Sequence, residues 1–199
     1  MEELFLYKKF YFRQAIHSIV FNMAKQILLS PEQLQVTINR LAQQVVENYS
    51  SLHDVVFIGI QPRGVKVSAA VVEAIRLASP DQKIQYGLLD ITFYRDDVRE
   101  EFHVASETNI SFSVEGKIVV LIDDVLYTGR SIRAALTAIQ SFGRPSGIEL
   151  LALIDRRFSR DLPIQPDYRG RQVDAINGEK VKVCWAEQDG EDGVYLVTN

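Results

Sequence analysis

At 199 residues the chain is long enough for one domain with a substantial core and too short for two ordinary ones. A content of 47% hydrophobic and 24% charged residues is that of a soluble globular protein, and a formal charge of −4 argues against a chain whose main role is indiscriminate nucleic-acid binding. Cys184 is the single cysteine, which excludes an internal disulfide and a cysteine-rich metal cluster and suits a reducing cytoplasm.

In chain order, the stretch from Met1 to Met23 is apolar and aromatic, but Lys8, Lys9, Arg13 and His17 break it below the length needed to span a bilayer. No membrane role is expected. Residues 1–28 are taken as an N-terminal extension ahead of a domain over 29–199, with 1–22 either a dispensable tail or an amphipathic helix packing on a neighbour. Ser30-Pro31-Glu32-Gln33 opens a helix: Ser30 caps, Pro31 suits the first helical position, and Gln33 completes a capping box. Leu34, Ile38, Leu41, Val45 and Tyr49 give it one buried stripe.

Val55 to Ile60 is an unbroken apolar run, as for a strand covered on both faces, and a helix from Val65 to Ala78 follows. Ile84 to Phe93 reads as a longer strand. Val98 to Glu115 is polar and aperiodic, and connections of that length are usually functional. Ile118 to Ile122 is a second buried-type strand, Ser131 to Phe142 a helix stopped by Gly143, and Ile148 to Ile154 a third strand. Such alternation predicts an α/β fold with a central, mostly parallel sheet flanked by helices. Two short alternating segments, Val181 to Trp185 and Val194 to Val197, suit a small antiparallel flap. His17, His53 and His103 have no partners at metal-ligand spacing.

Val119 to Ile122 runs into Asp123-Asp124, and after Val125-Leu126-Tyr127 the turn Thr128-Gly129-Arg130-Ser131 opens a helix. In an open α/β sheet this stands at the carboxyl end of a strand, where ligands bind. Thr128 and Ser131 offer hydroxyls, Gly129 admits a close backbone approach, and the amides of the helix start attract a phosphate monoester. Two carboxylates repel phosphate; they match a ribose diol, or a magnesium ion held through water. A solvated strand end before a capped helix is the plainer alternative. Acceptors and donors of opposite preference, side by side at a strand edge, favour a phosphorylated sugar instead.

This stretch resembles the 5-phosphoribosyl-1-pyrophosphate (PRPP) signature of type I phosphoribosyltransferases. Together with Ile58 to Val65, Asp90 to Asp97, Gly143-Arg144-Pro145, Leu153 to Arg156, Leu162-Pro163-Ile164 and Asp167-Tyr168, it is similar to the bifunctional pyrimidine operon regulator and uracil phosphoribosyltransferase (PyrR) family, from about Leu29 onward. The resemblance implies a type I phosphoribosyltransferase fold with a C-terminal antiparallel hood. It also implies transfer of phosphoribose from PRPP to uracil, giving UMP and pyrophosphate with Mg2+. Asp123 and Asp124 would hold the ribose, Tyr127, Thr128, Gly129, Arg130 and Ser131 the 5′-phosphate, and Gln61, Pro62, Arg63 and Gly64 the pyrophosphate. Arg63, with Asp123 and Asp124, forms the catalytic set.

Arg95 is expected to contact pyrophosphate from a lid, and Asp155 and Arg156 to meet the base unless they form a structural strand-end pair. The family more often has Lys-Thr-Arg where this chain has Gln61-Pro62-Arg63, and Gly where it has Arg157. Proline eases cis geometry at Gln61–Pro62, not at Pro62–Arg63. Tyr127 stands where purine-using relatives carry an acid, which speaks against a purine substrate. The family name allows a second reading, a PRPP- and UMP-sensing regulator that binds leader mRNA with weak or no catalysis. Arg40 alone against Glu32 and Glu47 gives the first helix no basic face, whereas Arg144, Arg156, Arg157, Arg160, Arg169 and Arg171 offer basic residues elsewhere. A homodimer or higher homo-oligomer in the cytoplasm is expected.

Overall fold

The computed structural model describes residues 25–96, 106–175 and 178–198. Sequence expectations for residues 1–22 lie outside them. The elements are β1 (Lys25–Leu29), α1 (Pro31–Asn48), β2 (Val55–Ile60), α2 (Gly64–Ala78), β3 (Gln85–Leu89), β4 (Ile118–Leu126), α3 (Arg130–Ile139), β5 (Gly147–Arg157), β6 (Tyr168–Asp174), β7 (Glu179–Cys184), the single turn α4 (Ala186–Asp189) and β8 (Gly193–Thr198). The chain falls into two compact units, a larger one over Glu32–Asp174 and a smaller one formed from the two ends.

In the larger unit a five-stranded sheet runs β3-β2-β4-β5-β6 with every pair parallel. All six residues of β2 are buried, which explains its unbroken apolar sequence. Strand order reverses between β2 and β4, and crevices at such a point, outside the carboxyl ends of the strands, receive ligands. In the smaller unit β1, β8 and β7 form an antiparallel sheet. Thus the α/β architecture with a small antiparallel sheet stands as the sequence predicts.

Three elements depart from the sequence reading. β1, whose KQILL sequence sits in the presumed extension, pairs with β8. β3 ends at Leu89 rather than near Phe93, because the Asp90 carboxylate accepts the Thr92 N–H and hydroxyl at 2.8 and 2.6 Å and turns Thr92–Tyr94 into a 3-10 turn. Asp90 also accepts the Ser106 N–H at 2.6 Å, so one carboxylate ties both stems of the connection after β3. β6, unread in the sequence, adds to β5 in parallel register with Leu151 opposite Tyr168. Its Gly170 leaves no room for a side chain, since a Cβ there would meet the Leu153 carbonyl oxygen at 2.2 Å.

Candidate functional site

β4 continues through Asp123 and Asp124 to Leu126, so the acidic pair lies within the strand and not beyond its end. Both residues are buried, at 7% and 8% exposure. The Asp124 N–H donates to Asp123 Oδ1 at 2.9 Å, and the Val125 N–H to Asp124 Oδ1 at 2.7 Å. Burial pushes the Asp123 carboxyl well above the usual range, and the charge of Asp124 adds to the rise. Asp124 is likewise raised by burial, while the Arg63 guanidinium opposes the shift. A pair held this way favours ligands that bring protons to donate, such as a diol, or a cation.

A cavity of about 400 Å3 opens at the end of β4, lined by Arg95, Asp123 and the run Val125–Ile132. The predicted Tyr127, Thr128, Gly129, Arg130 and Ser131 therefore share one space with Asp123; Asp124 is not among the lining residues. Gly129 caps α3 at φ +91°, a left-handed geometry that suits glycine, and a Cβ there would crowd Ile164 and Leu162. Arg95 donates from Nη1 to the Ser131 hydroxyl at 2.8 Å. Its described place is thus in the hydroxyl-lined cradle, whereas the sequence reading assigned it to pyrophosphate.

After β2 the chain turns through Gln61 to Gly64 into α2, with the Gln61–Pro62 bond cis. Arg63 is exposed, close enough to influence both carboxylates. Pro62 is exposed as well. Gln61 is not open to a ligand in the same way: it is buried, and its amide nitrogen donates to the Glu107 carbonyl at 2.8 Å. Gly64 is required by packing, because a Cβ would lie 2.7 Å from the Ile122 carbonyl oxygen and 3.4 Å from Asp123 Oδ1. The missing side chain lets the first turn of α2 rest against β4 beside the acidic pair.

Two more expectations divide. Asp155, at 4% exposure, pairs with Arg160 and lies 3.4 Å from Arg169 Nη1, so it takes the structural role that was its alternative. Arg156, at 6% exposure, stacks its guanidinium 4.1 Å from the Tyr127 ring centroid, and its buried Nε has no hydrogen-bond partner. Arg130 reaches Asp161 at 2.9 Å and Asp96 at 3.4 Å. A second cavity, of about 680 Å3, is lined by Asp155, Arg156, Arg157, Arg160, Arg169 and the apolar Leu162–Ile164 stretch, among others. Residues with no role at this site in the sequence analysis are Asp90, which anchors the stem carrying Arg95, and Arg160 with Asp161, which hydrogen-bond to the backbone of Tyr127 and Thr128. Their hydrogen bonds to Ser106, Tyr127 and Thr128, distant in sequence, reveal the role.

Among the described residues no group of three His, Cys, Asp or Glu side chains gathers as a metal site, and no helix is long and apolar enough to cross a membrane.

Residues 24–188 match the family model for the phosphoribosyl transferase domain. A curated relative from Picosynechococcus, named bifunctional protein PyrR, is 44% identical over 178 residues, covering 88% of this chain and 99% of that protein. One of the same name from Synechocystis is 43% identical over equal shares. Among solved structures, a hypoxanthine phosphoribosyltransferase from Staphylococcus aureus superposes with a TM-score of 0.67 at 21% identity, over 89% of this chain and 94% of that one. The Trypanosoma cruzi hypoxanthine phosphoribosyl transferase gives 0.68 at 17% identity, over 88% and 92%. At such identities these structures speak for the fold alone.

Proposed function

This chain belongs to the phosphoribosyl transferase family and, within it, to the PyrR proteins, and on that premise we propose that it transfers phosphoribose from PRPP to uracil. The C1′–oxygen bond to pyrophosphate breaks with its electron pair, uracil N1 bonds to C1′, and the N1 proton leaves with pyrophosphate or solvent. UMP and pyrophosphate are the products. The observation that carries the reading is the sharing of one cavity by the buried Asp123 and the hydroxyls of Thr128 and Ser131. One side accepts from hydroxyls and the other donates to an anion, the complement of a ribose 5-phosphate.

Asp123 and Asp124 take the ribose hydroxyls; Thr128, Gly129 and Ser131, with Arg95, take the 5′-phosphate. Arg63, exposed beside the pair, takes the pyrophosphate. Arg156 is the better candidate for the base, since its Nε is buried and unpartnered whereas Asp155 is held by two arginines. The donor chemistry fits Mg2+: one or two carboxylates, with water and substrate oxygens completing the shell, is its usual set, so Asp123 and Asp124 would hold it through water. When bound it neutralises charge on the departing pyrophosphate. The transferase domain takes in β1, which pairs with β8 and lies within the family match, and the protein works as a cytoplasmic homodimer or higher homo-oligomer.

Pyrophosphate release, measured with PRPP, Mg2+ and each of uracil, orotate, hypoxanthine and guanine, tests the assignment. Turnover is expected with uracil only. PRPP binding without release for any base would contradict it and leave the regulator reading, in which the arginines of the second cavity meet leader mRNA.

A further inference from the structure

We propose that Arg160, at the head of the segment Arg160–Ile164, is a positioning residue that moulds the phosphate loop from behind; this rests on the PRPP reading of the cavity. The Arg160 Nη1 donates to the carbonyls of Leu126 at 3.0 Å, of Arg156 at 2.9 Å and of Tyr127. Its Nε donates to the Ile164 carbonyl at 3.0 Å, and its Nη2 pairs with the buried Asp155. One residue on, the Asp161 and Leu162 amides donate to the Thr128 carbonyl at 3.0 and 3.3 Å, and the Asp161 carboxylate holds Arg130 at 2.9 Å. Leu162 and Ile164 press on the face of Gly129 where a Cβ would stand.

Three successive carbonyls, of Leu126, Tyr127 and Thr128, are therefore turned toward this segment. A trans peptide is planar, with its N–H pointing opposite to its C=O. The amides of Tyr127, Thr128 and Gly129 consequently face away from the segment. All three residues line the 400 Å3 cavity, and residues 160–164 do not; Arg160, Leu162 and Ile164 line the second cavity instead. A row of amides aimed at one point is an anion-binding nest, and its direction is set here by the hydrogen bonds on its back. Arg160 is fit for this because a planar guanidinium presents five donors in a fixed fork, whereas a lysine offers three from one freely turning nitrogen.

Arg160→Lys is the variant to make, since it keeps a cation beside Asp155 and so protects the fold. Steady-state kinetics against PRPP and against uracil, PRPP titration calorimetry, and thermal melting are measured on it, on wild type and on Arg157→Gln. Arg157 lines the same cavity but pairs with Asp174 at the surface, so its variant controls for the loss of an arginine from this cavity without the carbonyl bonds. Loss of one or two carbonyl bonds from the loop predicts a rise of about tenfold in the KM and Kd for PRPP, with kcat at saturating PRPP within about threefold of wild type. The KM for uracil is expected to hold, and Arg157→Gln to match wild type throughout. Arg160→Lys with unchanged affinity for PRPP, or with a lower melting temperature and fewer active molecules of normal affinity, overturns the positioning role. Wild-type protein that binds no PRPP at all overturns the reading of the cavity and this inference with it.

Discussion

Asp123 is the side chain on which the site's chemistry and the fold's stability pull in opposite directions. Its carboxyl is raised first by burial and then by the neighbouring Asp124, so the folded protein prefers it protonated. A folded pKa above the ordinary value of about 3.9 means that the folded state binds more protons than the unfolded one. That contribution to stability is complete below about pH 4 and is lost as pH rises through the raised pKa. Asp123→Asn removes the buried charge and keeps the Oδ1 acceptor for the Asp124 N–H. Without ligand or divalent metal, the variant is expected to melt a few degrees above wild type at pH 8, the gap closing toward pH 4. Differential scanning calorimetry across that range checks it, and a variant less stable than wild type at pH 8 would count against the account. Phosphoribosyl transfer should fall by about a hundredfold in the same variant, as for removal of a charge aimed at the reacting sugar.

The elements explain why so few residues suffice to build the site. β2 and β4 lie side by side with Gly59 opposite Ile122, so the turn after β2 and the acidic pair of β4 meet at the point where strand order reverses. Gly64 makes that meeting close. In Gly64→Ala the new methyl would sit 2.7 Å from a backbone oxygen of β4, and the start of α2 must retreat, carrying Arg63 with it. A displacement approaching 1 Å predicts a loss of about a hundredfold in kcat/KM, together with a lower melting temperature; wild-type kinetics would show that the contact is not needed. The buried strands and α1 to α3 were legible because an apolar run or a helical stripe is a local signal. β1 and β6 were not, since KQILL and YRGRQVD carry no clean period and owe their conformation to β8 and β5. The turn after β4 that shares a cavity with Asp123 was legible from its residue types. Its support was not: Arg160 looked like one more surface arginine until its carbonyl partners, 34 and 33 residues away, were in place. The same non-locality hid the packing of Gly64 and the hydrogen bond of Gln61, whose partners lie on β4 and at Glu107.

At the scale of the molecule, a parallel sheet in one unit carries every residue assigned to PRPP, and the antiparallel sheet belongs to another. Charge is likewise distributed unevenly, with Asp123 in the first cavity and most of the lining arginines around the second. Arg157 and Arg169 are paired with Asp174 and Asp155, and Arg40 donates to the carbonyls of Arg169 and Gly170, which limits the basic face that a polyanion would meet. The decisive question is which cavity takes a phosphorylated ribose. A crystal structure of the protein with UMP answers it. The account predicts the phosphate within hydrogen-bonding distance of Thr128 and Ser131 and the ribose hydroxyls on Asp123 and Asp124; a nucleotide seated instead among Arg157, Arg160 and Arg169, with the first cavity empty, would contradict it.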